Sequence, residues 1–181
     1  MHNLALAGLA FVFSLAVLIA GGHLMNRATN HSIVASALQG AGLKALNVRF
    51  AHYGTEDAAK VWSVISKTDG GLKAERAFLK LDLFFPVLYG GALAFSLLAV
   101  LFALGASPQG VWFLTPVAVA VLADWTENSI HLRQLKTFDG TAASLDAGLI
   151  QLASVATGIK LVFVILSLLL IPLLPLLLRR A

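Results

Sequence analysis

Ionisable side chains recur on one face of a segment that is otherwise largely apolar. Their spacings of three, four and seven residues place them on the same side of an α-helix. An ionised group at the centre of a bilayer costs about 2.5–3.5 kcal/mol, so such a face is expected to turn inward towards partners. The residues of this face are Asp124, Glu127, Asn128 and His131.

Partners for this face are present on two other apolar segments. Asp82 and Tyr89 are seven residues apart and therefore point to one side of a helix, and Lys160 interrupts the last apolar segment. Pro86 has no N–H to give to the carbonyl of Asp82, which predicts a kink there and a free acceptor. At 1.5 Å per residue, these polar groups lie at similar depths from the far ends of their helices.

Ionised carboxylates of Asp82, Asp124 and Glu127 would outnumber the single ammonium of Lys160. In a poorly solvated site the excess must be cancelled by a proton, a bound cation or water. We therefore predict a pocket that binds a small polar or amphiphilic molecule such as a lipid headgroup. Whether it is an enzyme stays open; in an enzymatic version Glu127 or Asp124 is the general base and Lys160 holds an anionic group. The predicted ligand-binding residues are Asp82, Tyr89, Asp124, Glu127, Asn128, His131 and Lys160.

Two other functions fit the same residues. Lys160 and a carboxylate could form an ion pair that joins helices in a structural or assembly subunit, or the carboxylates could relay protons or ions. No cofactor is predicted, although His23 and His131 together offer a haem-binding option. The chain has no cysteine and its histidines lack metal-ligand spacing, so no metal site is expected.

The elements that position these residues are apolar stretches of membrane-spanning length. The chain has 181 residues, of which 59% are hydrophobic and 12% charged, which is typical of a membrane protein. We predict a single all-α domain, an integral membrane four-helix bundle with a cytoplasmic amphipathic helical loop. The predicted spans are residues 4–22, 77–105, 110–135 and 147–178, and the helical loop covers residues 23–71.

The loop contains one clear amphipathic helix, from Glu56 to Lys67. Thr55 is its predicted N-cap, and Val61, Trp62 and neighbouring apolar residues share one face. This face suits either the membrane surface, with Trp62 among the headgroups, or the end of the helix bundle.

Lysine and arginine set the predicted orientation. They concentrate in residues 23–76 and flank residues 136–146, so the positive-inside rule places both loops in the cytoplasm and both termini in the periplasm.

The partners expected are the lipid bilayer and a small-molecule or lipid ligand, with a homo-oligomer or larger membrane complex as an option. No basic face typical of nucleic-acid binding is present. The first span is favoured as a retained anchor over a cleaved signal peptide, because its N-terminal side lacks lysine and arginine.

Three motifs together resemble a group of small bacterial membrane proteins to which no activity is assigned. They are the run from Glu75 to Gly90 that contains Asp82 and Tyr89, the sequence Asp-Trp-Thr-Glu-Asn at 124–128, and Lys160. The resemblance covers most of the chain from about Thr55 onward. It implies a four-helix architecture and a bacterial inner membrane, and it assigns no catalytic role.

Overall fold

The computed structural model describes residues 2–50, 52–106 and 108–178, and within these ranges the chain is helical without strands. The predicted all-α class is therefore confirmed. Short 3-10 turns at Leu46–Val48, Pro108–Leu114 and Ala142–Ser144 connect longer helices. These are α1 (His2–Ala28), α2 (Ser32–Gly40), α3 (Thr55–Ser66), α4 (Gly71–Leu81), α5 (Phe85–Ala103), α6 (Thr115–Thr137) and α7 (Ala147–Leu177).

Three helical stretches are long and apolar enough to cross a membrane. They are Asn3–Ala28, the combined α4 and α5 from Gly71 to Ala103, and α7. These stretches indicate a membrane protein. Helix α6, which covers most of the predicted third span, is apolar up to Ala123 and polar beyond it.

Helix α1 continues beyond the predicted end of the first span at residue 22 and stops at Ala28. Asn30 adopts a left-handed backbone with φ of 54°, a conformation that commonly ends helices. Because of the extra turns, residues 23–28 belong to a long helix rather than to the loop.

The second span is interrupted where proline was expected to kink it. Helix α4 ends at Leu81, and α5 begins at Phe85 with Pro86 in its first turn. Residues 82–84 form the turn between the two helices. Gly90 follows on α5, and a Cβ atom there would lie 2.5 Å from Val121, so the close approach of α5 and α6 requires glycine.

The amphipathic segment forms α3, which packs on the ends of other helices. Trp62 is fully buried, and its ring meets those of His131 and Phe138 at centroid distances of 6.0 and 5.7 Å. Of the two positions that its sequence allowed, the structure therefore shows the packed one. The predicted N-cap was wrong by one residue: Gly54 occupies that position, and its N–H donates to the Asp57 carboxylate at 3.2 Å.

Two apolar cores lie at opposite ends of the helix pair α6 and α7. One contains Trp62, Leu135 and Ile150, and the other contains Leu93 and Ile171. The polar residues of α6 and α7 lie between these two cores along both helices. The site is consequently a polar layer with apolar packing on either side.

Candidate functional site: a buried charge cluster beside a pocket

Lys160 is the only ammonium in the polar layer among the residues that the structure describes, and it contacts two carboxylates of α6. Its Nζ forms an ion pair with Glu127 and lies 3.2 Å from Oδ1 of Asp124. All three residues are buried. Such desolvation is tolerated only because the opposite charges are paired at hydrogen-bonding distance.

Asp124 accepts two further hydrogen bonds. The Tyr89 hydroxyl donates to Oδ2 at 2.9 Å, and the Asn128 amide donates to Oδ1 at 3.0 Å. With Lys160, the Asp124 carboxylate has three donors, as expected for an ionised carboxylate that is buried. Helices α5, α6 and α7 all contribute to this one carboxylate.

Asp82 is connected to the cluster by a hydrogen bond to its backbone carbonyl, and its side chain lies beside the cluster at the pocket. The carbonyl of Asp82 accepts a hydrogen bond from the Asn128 amide at 3.1 Å, in place of the N–H that Pro86 lacks. Asp82 is 5% exposed, and its carboxylate forms no ion pair with the residues that the structure describes. Both N–H groups of Asn128 are already donated, to the Asp82 carbonyl and to Asp124.

A pocket of about 250 Å³ opens beside these residues. Asp82, Tyr89, Asp124 and Lys160 form part of its lining, whereas Glu127 and Asn128 stand behind them. The pocket wall that sequence reasoning did not predict comes from α1. The remaining lining residues are Leu18, Gly22, Met25, Asn26, Asn47, Phe78, Phe85, Leu161 and Val164.

The charge balance of the cluster is incomplete. The cluster contains three carboxylates and one ammonium, which pairs with two of them. Two buried oxygens have neither a hydrogen-bond partner nor an ion-pair partner among the described residues, Oε1 of Glu127 and Oδ1 of Asn128. Buried polar atoms are usually satisfied, so an unpaired set points to a proton, water or ligand that completes it.

His131 is buried one helical turn from Glu127 but contacts a loop residue instead of the pocket. It does not line the pocket, and its Nε2 lies 2.8 Å from the hydroxyl of Tyr53, which also contacts Thr157 at 3.2 Å. The backbone N–H of Tyr53 donates to Ser154. Burial raises the pKa of the Tyr53 phenol above its usual value, so the hydroxyl keeps its proton. His131 thus anchors the loop residue Tyr53 on α6 and α7.

The histidine pair considered for haem does not meet at the pocket. His23 is exposed on α1, and His131 is buried against Tyr53 and Trp62. No group of three or more potential metal ligands with suitable geometry is found among the described residues.

Several residues in or beside the site were not predicted from the sequence. Asn26 is one turn beyond Gly22 on α1, and it joins the pocket because the helix continues further than predicted. Asn47 and Tyr53 lie in a loop without periodicity, so nothing in their spacing indicated an inward position. His31 pairs with Glu75 at 2.7 Å and stacks on Phe78, which fixes α2 against α4 beside the pocket.

Comparison with models of known protein families, with curated proteins and with solved structures gives no match.

Asn128→Ala is expected to lower the free energy of unfolding by about 1–3 kcal/mol. The change removes the donor of the Asp82 carbonyl and one of the three donors of Asp124. Denaturant unfolding of the purified protein in a mild detergent measures the loss.

Ser129→Ala is the matched control, because Ser129 is exposed on the adjacent position of α6. It should change stability by no more than about 0.5 kcal/mol. Equal losses for the two variants would contradict a role for Asn128 in joining α6 to the α4–α5 turn.

Proposed function

We propose that this chain is a four-pass membrane protein that binds a small amphiphilic molecule, with its polar head against the buried charge cluster. The observation that carries the proposal is the pocket of about 250 Å³, because a charged wall and an apolar wall face the same space. Ligand pockets typically combine an apolar lining with a few convergent polar groups. A lipid or lipid-like molecule has both parts.

Four passes are supported by the surface of the helices as well as by their length. Large apolar side chains are exposed on the outer faces of α1, α5 and α7, for example Leu9, Phe102 and Leu169. A water-soluble monomer rarely exposes such continuous apolar surface. The apolar first half of α6 would complete the fourth pass, with its polar face sheltered by α5 and α7.

The proposed setting is a bacterial inner membrane with both termini periplasmic. Lysine and arginine of residues 23–76 and 136–146 would then face the cytoplasm, in agreement with the positive-inside rule. Helix α3 and the apolar core that contains Trp62, Leu135 and Ile150 would cover the cytoplasmic end of the bundle. Arg179 and Arg180, which weigh slightly against this orientation, lie outside the described residues.

A structural role for the ion pair is the second candidate function. The ion pairs of Lys160 with Asp124 and Glu127 join α6 to α7, and such pairs can hold helices together in a subunit of a membrane complex. This role leaves the Asp82 carboxylate and the adjoining pocket unexplained, whereas a ligand accounts for both. For this reason we favour binding.

Gly22→Leu tests the binding proposal. Gly22 lines the pocket, and a Cβ atom added there meets no atom within 4 Å, so a side chain can start from this position without a clash. We expect the leucine side chain to occupy part of the pocket. We expect the wild-type protein, purified in a mild detergent, to retain a molecule detectable by native mass spectrometry. Gly22→Leu should fold and lose that molecule.

Gly8→Leu is the matched control on the same helix. Gly8 is exposed, and its added Cβ atom likewise meets nothing within 4 Å. This variant should retain the bound molecule. If the wild type carries no molecule, or if Gly22→Leu retains it as fully as Gly8→Leu does, the pocket is not a binding site.

A further inference from the structure

We infer that the ligand of this pocket carries a positively charged amine that binds the Asp82 carboxylate, with its hydrocarbon part along the apolar wall. The inference rests on the proposed function and specifies its ligand class. It depends on three features of the structure: the unpaired carboxylate, the aromatic lining and the apolar wall.

The first feature is the distribution of donors within the cluster. Tyr89 donates its single proton to Asp124, and Asn128 uses both N–H groups elsewhere. Lys160 donates to Asp124 and forms an ion pair with Glu127. Asp82 is therefore a buried carboxylate at the pocket that has no counter-charge of its own among the described residues. An ammonium group supplies the missing charge and donors together.

The net negative charge of the cluster also argues against a ligand with an anionic head. Three carboxylates around one ammonium leave the cluster negative when all are ionised. An anionic head, such as a phosphate without an amine, would meet repulsion from Asp82 in a medium of low dielectric constant. A zwitterionic head fits only with its amine towards Asp82.

The second feature favours an organic cation over a bare metal ion. Phe78, Phe85 and Tyr89 line the pocket together with Asp82. Aromatic faces attract ammonium groups, and quaternary and methylated amines are commonly bound this way. Calcium and magnesium instead require about six oxygen ligands, and no group of three or more acidic or histidine side chains that could hold a metal ion is found among the described residues.

The third feature is the apolar wall, the part of the pocket lining that carries hydrocarbon side chains. Leu18 and Met25 of α1 and Leu161 and Val164 of α7 form much of it. Burying hydrocarbon there contributes about 0.8 kcal/mol per methylene group relative to water. The ligand class is thus a long-chain amine or a lipid with an amine in its head.

Binding of dodecylamine and dodecanol to the protein in dodecyl maltoside tests the inference. The two probes share one chain, and only the amine is charged at pH 7. The thermal unfolding midpoint is followed as each probe is titrated at equal mole fraction in the micelle. For the wild type we expect dodecylamine to bind at least about tenfold more tightly, a difference of about 1.4 kcal/mol.

Asp82→Asn should reduce this preference to less than about threefold, since it removes the charge and keeps the shape. Asp69→Asn is the matched control: Asp69 is exposed between α3 and α4, and its loss should leave the preference unchanged. Equal binding of the two probes by the wild type would overturn the inference whether or not Asp82→Asn folds. An undiminished preference in folded Asp82→Asn would overturn it as well.

Failure of the inference and failure of the proposed function give different results. If dodecanol and dodecylamine bind the wild type equally and Gly22→Leu abolishes both, the pocket binds amphiphiles without regard to charge. If Gly22→Leu leaves the binding of both probes unchanged, the pocket itself is not the site.

Discussion

Lys160→Met is expected to lower the free energy of unfolding by about 3–5 kcal/mol, the cost of leaving buried charges without their partner. Lys160 is 8% exposed, and it is the group that pairs with both Glu127 and Asp124. Methionine has a similar length and lacks the charge, so packing is largely kept. Denaturant unfolding in dodecyl maltoside measures the loss.

Glu127→Gln and the double change identify the source of that loss. Glu127→Gln keeps the shape and leaves Lys160 with Asp124, so a smaller loss of about 1–3 kcal/mol is expected. The double variant should be more stable than the sum of the single losses predicts, because the carboxylate stranded by Lys160→Met is then absent. Additive losses would show that Lys160 and Glu127 do not interact.

Lys136→Met is the matched control, because it replaces an exposed lysine by the same residue. Lys136 is exposed in the last turn of α6, and the same substitution there should change stability by about 0.5 kcal/mol or less. If Lys160→Met is as stable as Lys136→Met, the ammonium does not hold α7 on α6, and the structural candidate function loses its support.

Trp62→Ala is expected to cost about 3–5 kcal/mol, the usual range for deleting a buried aromatic side chain. Trp62 is 0% exposed and packs on His131 and Phe138, so its removal opens a cavity between α3 and the end of α6. A helix lying on the membrane surface would instead lose lipid binding and little stability. Thermal unfolding in detergent, without lipid, distinguishes the two.

Trp62→Phe refines this experiment. The indole Nε1 of Trp62 has no hydrogen-bond partner among the described residues, and phenylalanine removes that buried donor while keeping an aromatic ring. This variant should lose clearly less than Trp62→Ala. Trp112→Ala, at a side chain that is 75% exposed, should be nearly neutral. Losses that are equal at Trp62 and Trp112 would contradict the packed position of α3.

Much of the fold follows from patterns within single helices. The apolar stretches, the amphipathic helix α3 and an irregularity at Pro86 each depend on residues a few positions apart, so the sequence alone predicted them. The sequence predicted a kink at Pro86, and the structure shows a turn between two helices there. The polar face of α6 was predictable for the same reason, since a period of 3.6 residues aligns Asp124, Glu127 and Asn128. Lys160 could be matched to this face by depth and charge, and Tyr89 by its spacing of seven residues from Asp82. The structure brings both into contact with Asp124.

Contacts between distant parts of the chain were decided by tertiary packing. Tyr53 reaches His131 across 78 residues and Thr157 across 104, and no spacing rule connects a loop residue to helices so far along the chain. His131, which the sequence had assigned to the pocket, contacts Tyr53 and does not line the pocket. Helix α1 supplies the other pocket wall for a similar reason: its apolar faces resemble one another in sequence, and only packing selects the one that turns inward.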